Sequence, residues 1–254
     1  MKQTNKIFVK FENVTIAYGD NVIVRDLNFT INHGDIFVLM GMSGCGKSTV
    51  MRSIIGLVKP VKGHIFVNGM DLWSLPQDKR DEIVETFGIS YQSGALFSSM
   101  TLYENIALPL EMKTNLSPQE IRKRVMEKLE LVGLGDYADF YPSEISGGMI
   151  KRAALARAMI ITPQALFFDE PSAGLDPLRA AQLDNLILDI SRKTGATVVM
   201  VTHELDSIMT IATNSVYIDA QTKTITGGGK PTQLLRTTKN RQIREFLNPK
   251  QKRN

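Results

Sequence analysis

Residues 35–49 read DIFVLMGMSGCGKST. The first six form a short apolar run bounded by Asp35, with the length and composition of a buried strand. The next nine match the pattern G-x-x-x-x-G-K-[ST], and a helical stretch follows until Gly56. A strand that feeds a glycine-rich loop opening a helix is the context in which such a loop binds phosphate. Glycines allow successive backbone N–H groups to wrap around phosphate oxygens. Gly41, Ser43, Gly44, Cys45, Gly46, Lys47, Ser48 and Thr49 are therefore the first candidate nucleotide contacts. Lys47 sets a positive charge against the β- and γ-phosphates, and the Ser48 hydroxyl is a candidate Mg²⁺ ligand.

Outward from this unit, residues 7–18 and 22–31 alternate in the manner of strands. Leu27, Phe29 and Ile31 share one face, and Gly19-Asp20 forms a turn between the two runs. Residues 64–68 add another short strand, so the first seventy or so positions combine an antiparallel sheet with one strand–loop–helix unit. Residues 87–91, 165–168 and 197–201 read as buried strands. Residues 100–160 are mostly helical. Within them Ser117, Pro118 and Glu120 form a capping box with proline at the first helical position, and Ile121, Val125, Leu129 and Val132 form the apolar stripe. A further helix opens at Asp176-Pro177 and closes near Gly195. Residues 215–219 and 223–226 look like a final hairpin. The expected fold class is α/β: a P-loop NTPase with a parallel core sheet, an antiparallel β subdomain and a helical insert at about 93–160. This unit runs to about residue 230, with a basic extension over 231–254.

Composition sets outer limits. Hydrophobic residues make up 43% and charged residues 22% of 254 positions, ordinary for a globular protein with a full core. No apolar run approaches the ~18 residues that span a bilayer. The opening MKQTNKIFVKFEN lacks the apolar segment of a secretory signal. A single cysteine, Cys45, permits no intrachain disulfide, so a reducing cytosol is expected. Charge is uneven: Arg236, Lys239, Arg241, Arg244, Lys250, Lys252 and Arg253 face a single acid, Glu245, after residue 235. Two readings stand for that stretch, a solvated tail or a contact with a protein or anionic lipid headgroups.

Two further strand ends carry chemistry. Residues 165–170 read ALFFDE, an apolar strand ending in two carboxylates. Beside a P-loop, Asp169 is placed to hold Mg²⁺, and Glu170 to polarise the attacking water. The strand at 197–201 ends in Thr202-His203, where the imidazole could reach a γ-phosphate. Gln92 ends the 87–91 strand and is a candidate for Mg²⁺ or the lytic water. Tyr18 offers a flat ring for adenine stacking, or is an ordinary strand-end tyrosine. Residues 145–149, ISGGM, place Ser146, Gly147 and Gly148 at the start of a helix, where unpaired N–H groups attract an anion.

Tyr18, GMSGCGKST, Gln92, ISGGM, FFDE, AGLD and His203 occur in the order and spacing of the ABC-type ATPases, and the chain resembles that family to about residue 230. The resemblance implies a head-to-tail dimer in which Ser146, Gly147 and Gly148 cap the γ-phosphate of ATP held by a second copy. It also implies that the AGLD loop, with Asp176, lines the interface. The family's usual LSGGQ is here ISGGM, so Met149 lacks the amide of the usual glutamine. Only 97 residues separate Ser48 from Ser146, too few for the coiled coils of chromosome-maintenance members. The implied class is the separate ATPase subunit of a membrane transporter, peripheral on the cytoplasmic face of the bacterial inner membrane, with no nucleic-acid partner. A nucleic-acid-associated ATPase is the less favoured class. Residues 91–110, 144–152 and 170–177 further resemble the bacterial ATPases that partner MCE-type lipid carriers. That likeness implies a transmembrane permease, an MCE substrate-binding protein and a small regulatory subunit as partners. Amino-acid and lipoprotein transporters have related ATPases and remain alternatives. Leu96 and Phe97 lie where such ATPases grip the permease, though core packing is the competing reading.

Overall fold

The computed structural model describes residues 6–248. β1 (Ile7–Tyr18) and β2 (Asn21–Asn32) form an antiparallel hairpin through the Gly19-Asp20 turn. β3 (Ile36–Met40) leads through the glycine loop into α1 (Lys47–Ile54). β4 (Lys62–Val67) and β5 (Met70–Asp71) complete a four-stranded antiparallel sheet in the order β2-β1-β4-β5. After α2 (Gln77–Val84) and β6 (Phe87–Ser90) the chain enters a helical region: α3 (Leu102–Lys113), α4 (Pro118–Leu131) and α5 (Gly147–Met159). β7 (Ala165–Asp169), α6 (Pro177–Thr194), β8 (Thr197–Val201), α7 (Leu205–Ile211), β9 (Asn214–Ile218) and β10 (Ile225–Gly228) follow. The second sheet is six-stranded, in the order β10-β9-β3-β8-β7-β6. All its pairs are parallel except the β9–β10 hairpin.

The central strands are buried on both faces, which is why they read as unbroken apolar runs. Ile36, Val38 and Met40 of β3 join Leu166, Phe168, Val198 and Met200 against the helices. Phe37 and Leu39, with Phe167, Val199 and Val201, face the other way and pack on Phe8, Phe11 and Ile31 of the antiparallel sheet. The two cores share one sheet, and the loops at the carboxyl ends of β3, β6, β7 and β8 are held rigidly side by side. Among the described residues no helix is long and apolar enough to cross a membrane.

Two short helices follow β10: α8 (Pro231–Thr237) and α9 (Arg241–Leu247). Leu234, Ile243 and Leu247 are buried in the helical-side core, and Phe246 meets Tyr217 edge-on at 5.3 Å. Arg236, Lys239, Arg241 and Arg244 stay exposed on the outer side, with Arg241 paired to Glu245. This part of the basic stretch is thus anchored by its apolar residues. Lys250, Lys252 and Arg253 lie outside the described residues.

The β6–α5 contact is unusually close. A methyl group on Gly88 would stand 2.1 Å from the carbonyl oxygen of Ala158 in α5. That oxygen is backbone and cannot swing away. Gly88→Ala is expected to cost about 3 kcal/mol, in the range of overpacking changes, and to lower Tm by about 6–10 °C in a thermal-shift assay. An unchanged Tm would mean that α5 is not fixed against β6.

Candidate active site

The glycine loop delivers a helix start with nothing on it. Gly46, the residue before α1, has φ 100°, and no side chain caps the helix N-terminus. The first N–H groups of α1 are left for an anion, and the helix dipole favours one. Lys47 is buried, and its ammonium donates to the carbonyls of Gly41 (2.9 Å) and Met42 (3.0 Å). Its charge is answered by carbonyl dipoles, which an incoming phosphate can outcompete.

The strand ends converge on this loop. Ser43, Gly44, Gly46, Lys47, Ser48, Thr49, Gln92, Asp169, Glu170 and His203 line one open cleft of about 410 Å³. Ile23, which sequence reasoning did not single out, supplies an apolar wall. Gly41 and Cys45 are not among the lining residues. Cys45 is buried in the inter-sheet core, and burial pushes its thiol pKa up, partly opposed by Lys47. Tyr18 also lies outside the lining set, at the end of β1, and is half exposed (50%).

Consecutive residues of a strand point to opposite faces, yet Asp169 and Glu170 both line the cleft. The reconciliation is a backbone turn. Glu170 has φ 50°, the left-handed region, at a cost of about 1–2 kcal/mol for a residue with a Cβ. Its N–H is fixed to the Val201 carbonyl at 2.8 Å. Asp169 Oδ1 accepts from Ser48 Oγ at 2.9 Å. Glu170 Oε1 meets His203 Nδ1 at 2.8 Å, whereas Oε2 is buried and has no partner among the described residues. A buried carboxylate oxygen without a donor costs free energy, and a water delivered to it would relieve that cost. His203 Nε2 lies 3.7 Å from Glu204 Oε1.

Lys151, on α5, reaches the same region from behind. It donates to the carbonyls of Gln92 (3.0 Å) and Glu170 (3.3 Å). Desolvation lowers its pKa, with the Glu170 charge acting in the opposite sense. Arg157, two turns on, donates to the Gly94 carbonyl at 3.0 Å. No sequence pattern announced either contact.

Ser146, Gly147 and Gly148 are not part of this cleft. Ser146 caps α5, its hydroxyl accepting from Met149 N–H at 3.4 Å. Ser146 and Gly147 are exposed, and Gly147 has open space where a side chain would be. Met149 is half buried against the helical core.

The family model described as ABC transporter matches residues 24–173, more than half of the chain. This chain belongs to the ABC transporter family. It is an ATPase, the ATP-binding subunit of such a transporter. The Mycobacterium tuberculosis (strain H37Rv) probable ribonucleotide transport ATP-binding protein mkl is 41% identical over 242 residues, covering 95% of this ATPase and 67% of that protein. The intermembrane phospholipid transport system ATP-binding protein MlaF of Haemophilus influenzae is 38% identical, covering 88% and 84%. The methionine import ATP-binding protein MetN of Lactobacillus johnsonii is also 38% identical, covering 83% and 62%. Among solved structures, the dimeric structure of MJ0796, a bacterial ABC transporter cassette, superposes with TM-score 0.80 at 30% identity, covering 87% of this ATPase and 98% of that chain. The same cassette in a post-hydrolysis state bound to ADP and Pi gives TM-score 0.78.

Proposed function

We propose that this ABC ATPase hydrolyses ATP as a head-to-tail dimer beneath a membrane permease, on the cytoplasmic face of a bacterial inner membrane, to move phospholipid or a related lipid. ATP phosphates lie on the start of α1, with Lys47 turned from the loop carbonyls to the β/γ oxygens and Tyr18 stacked on adenine. Ser48 Oγ and Asp169 Oδ1, already 2.9 Å apart, supply the hard oxygens that Mg²⁺ prefers, and the Gln92 carboxamide can add another. When bound, Mg²⁺ would neutralise charge on the phosphate oxygens. Glu170 Oε2 accepts the proton of the attacking water. His203 steadies Oε1 and reaches towards the γ-phosphate. The observation that carries the chemistry is the unpartnered, buried Oε2 beside the bare helix start.

Dimerisation accounts for a feature the single chain leaves unused. The Ser146-Gly147-Gly148 helix start, exposed at Ser146 and Gly147, can take an anion and stands outside its own cleft. In the dimer it caps the γ-phosphate held by the other copy; the dimeric structure of the MJ0796 cassette supports the pairing of two copies.

For the permease, the surface around the start of α3 is the docking face. The backbone N–H groups of Leu102 and Tyr103 bond to the carbonyls of Phe140 and Ala138, which brings exposed Phe140 and Tyr141 to the start of α3, and exposed Phe97 is tied to the same helix through Asn105. Buried Asn105 braces the loop. It accepts from Phe97 N–H at 2.7 Å and donates to the carbonyls of Phe97, Met100 and Thr101. Phe97 is 51% exposed, whereas Leu96 is half buried against the core, so the two apolar residues divide the work. Phe97→Ser should leave Tm and nucleotide binding nearly unchanged and cut permease recovery about 30-fold, as loss of an apolar anchor does. Leu96→Ser should instead lower Tm. Undiminished permease capture by Phe97→Ser would remove this face from the interface.

The lipid assignment rests on the MlaF relative, and the MetN relative favours amino-acid import as the second reading. Purification of the tagged complex from native membranes separates them. An MCE-type protein and bound phospholipid, with or without a small regulatory subunit, support lipid transport. An amino-acid-binding protein in their place supports import, and recovered nucleic acid would contradict both.

A further inference from the structure

One ammonium connects three parts of the site. Lys151 leaves from the second turn of α5, the helix that starts at the exposed glycines, and reaches two backbone carbonyls. One belongs to Gln92, whose side chain lines the nucleotide cleft. The other belongs to Glu170, at the left-handed turn that aims its carboxylate into that cleft. Because of the turn, the Glu170 carbonyl has left the β7 ladder. The other donor to it is the N–H of Ala173, at 3.2 Å. Arg157 grips the same loop farther along, at Gly94. α5 therefore holds the loop after β6 with two cations, and only Lys151 also holds the Glu170 turn.

Fold stability has little need of the Gln92 contact. The Gln92 carbonyl is on the exposed side of the contact, and water can satisfy such an oxygen nearly as well. Water cannot fix the separation of α5, the Gln92 loop and the Glu170 turn. Small misplacements of groups around the reacting atoms cost rate far more than they cost stability.

We propose that Lys151 is a positioning residue for hydrolysis, fixing the Glu170 turn and the Gln92 loop within its own chain. It does not line the nucleotide cleft and acts through the peptides it holds. The proposal rests on the reading of Glu170 as the base.

The test is steady-state ATPase kinetics of the full chain carrying Lys151→Met, Lys151→Arg or Glu170→Gln. Lys151→Met should lose about 10–100-fold in kcat, with the KM for ATP within about threefold of wild type. Lys151→Arg, which keeps a cation able to donate to both carbonyls, should recover most of the loss. If the methionine variant melts below the assay temperature, Lys151→Gln, a shorter and uncharged donor, carries the same comparison. A wild-type kcat for Lys151→Met, or a loss confined to KM, would overturn the positioning role while leaving an inactive Glu170→Gln to support the base. A Glu170→Gln enzyme that turns over at the wild-type rate would instead remove the base reading, and this proposal with it.

Discussion

Glu170→Gln is expected to lower the ATPase rate by about 10²–10⁴-fold, equivalent to about 3–5.5 kcal/mol of barrier. The substitution keeps the shape of the side chain and its hydrogen bond to His203 but removes the proton acceptor. Nothing proposed to meet the phosphates changes: the bare start of α1, Lys47 and the Ser48–Asp169 pair are untouched. ATP should bind as before, and the ATP-bound dimer should accumulate because its exit by hydrolysis is blocked. Phosphate release and gel filtration with ATP measure the two effects. A rate within threefold of wild type would remove Glu170 from the role of base.

Lys47→Ala and Ser146→Arg should each abolish most activity, for different reasons. Lys47 is buried and, in the proposed site, sets its charge against the phosphates; loss of such a group costs about 10²–10³-fold. The alanine also leaves the Gly41 and Met42 carbonyls without their donor. Ser146→Arg acts by bulk, since the side chain would fill the open space beside Gly147 where the proposed dimer seats a phosphate. Because Ser146 is exposed, the arginine should not unfold the chain. Tm near wild type for Ser146→Arg, with phosphate release near background for both variants, is the expected pair of results.

The central sheet was legible in the sequence because both of its faces are buried. β7 and β8 therefore appear as unbroken apolar runs, found to within a residue. α6 was legible at both ends, through the Asp176 cap, whose carboxylate accepts from Arg179 N–H, and through Gly195 at φ 69°. α2 was not, because QDKRDEIV buries no residue and has no apolar period. α8 and α9 were hidden by their charge: Leu234, Ile243 and Leu247 are sparse among basic residues that read as a tail. Within the cleft, side chains carried by short motifs could be named in advance. Lys151 and Arg157 could not, since their partners are backbone carbonyls 59 and 63 positions away, and any residue type offers a carbonyl. The left-handed turn at Glu170 was equally invisible, because glutamate carries no preference for that conformation.

The account stands most directly on whether the ISGG helix start serves another chain's nucleotide. The measurement is ATPase activity on mixing the two inactive variants, Lys47→Ala and Ser146→Arg, with a tag pull-down to show that mixed dimers form and a mixture of wild type with each variant to show that one intact site suffices. A mixed dimer has one site carrying both lesions and one site pairing an intact P-loop with an intact glycine segment. The account predicts that activity returns on mixing, rising towards the fraction of mixed dimers. If the pull-down shows mixed dimers, the wild-type mixtures are more active than their wild-type homodimers alone account for, and the two variants together stay silent at every ratio, the glycine segment acts within its own chain and the composite-site account is wrong.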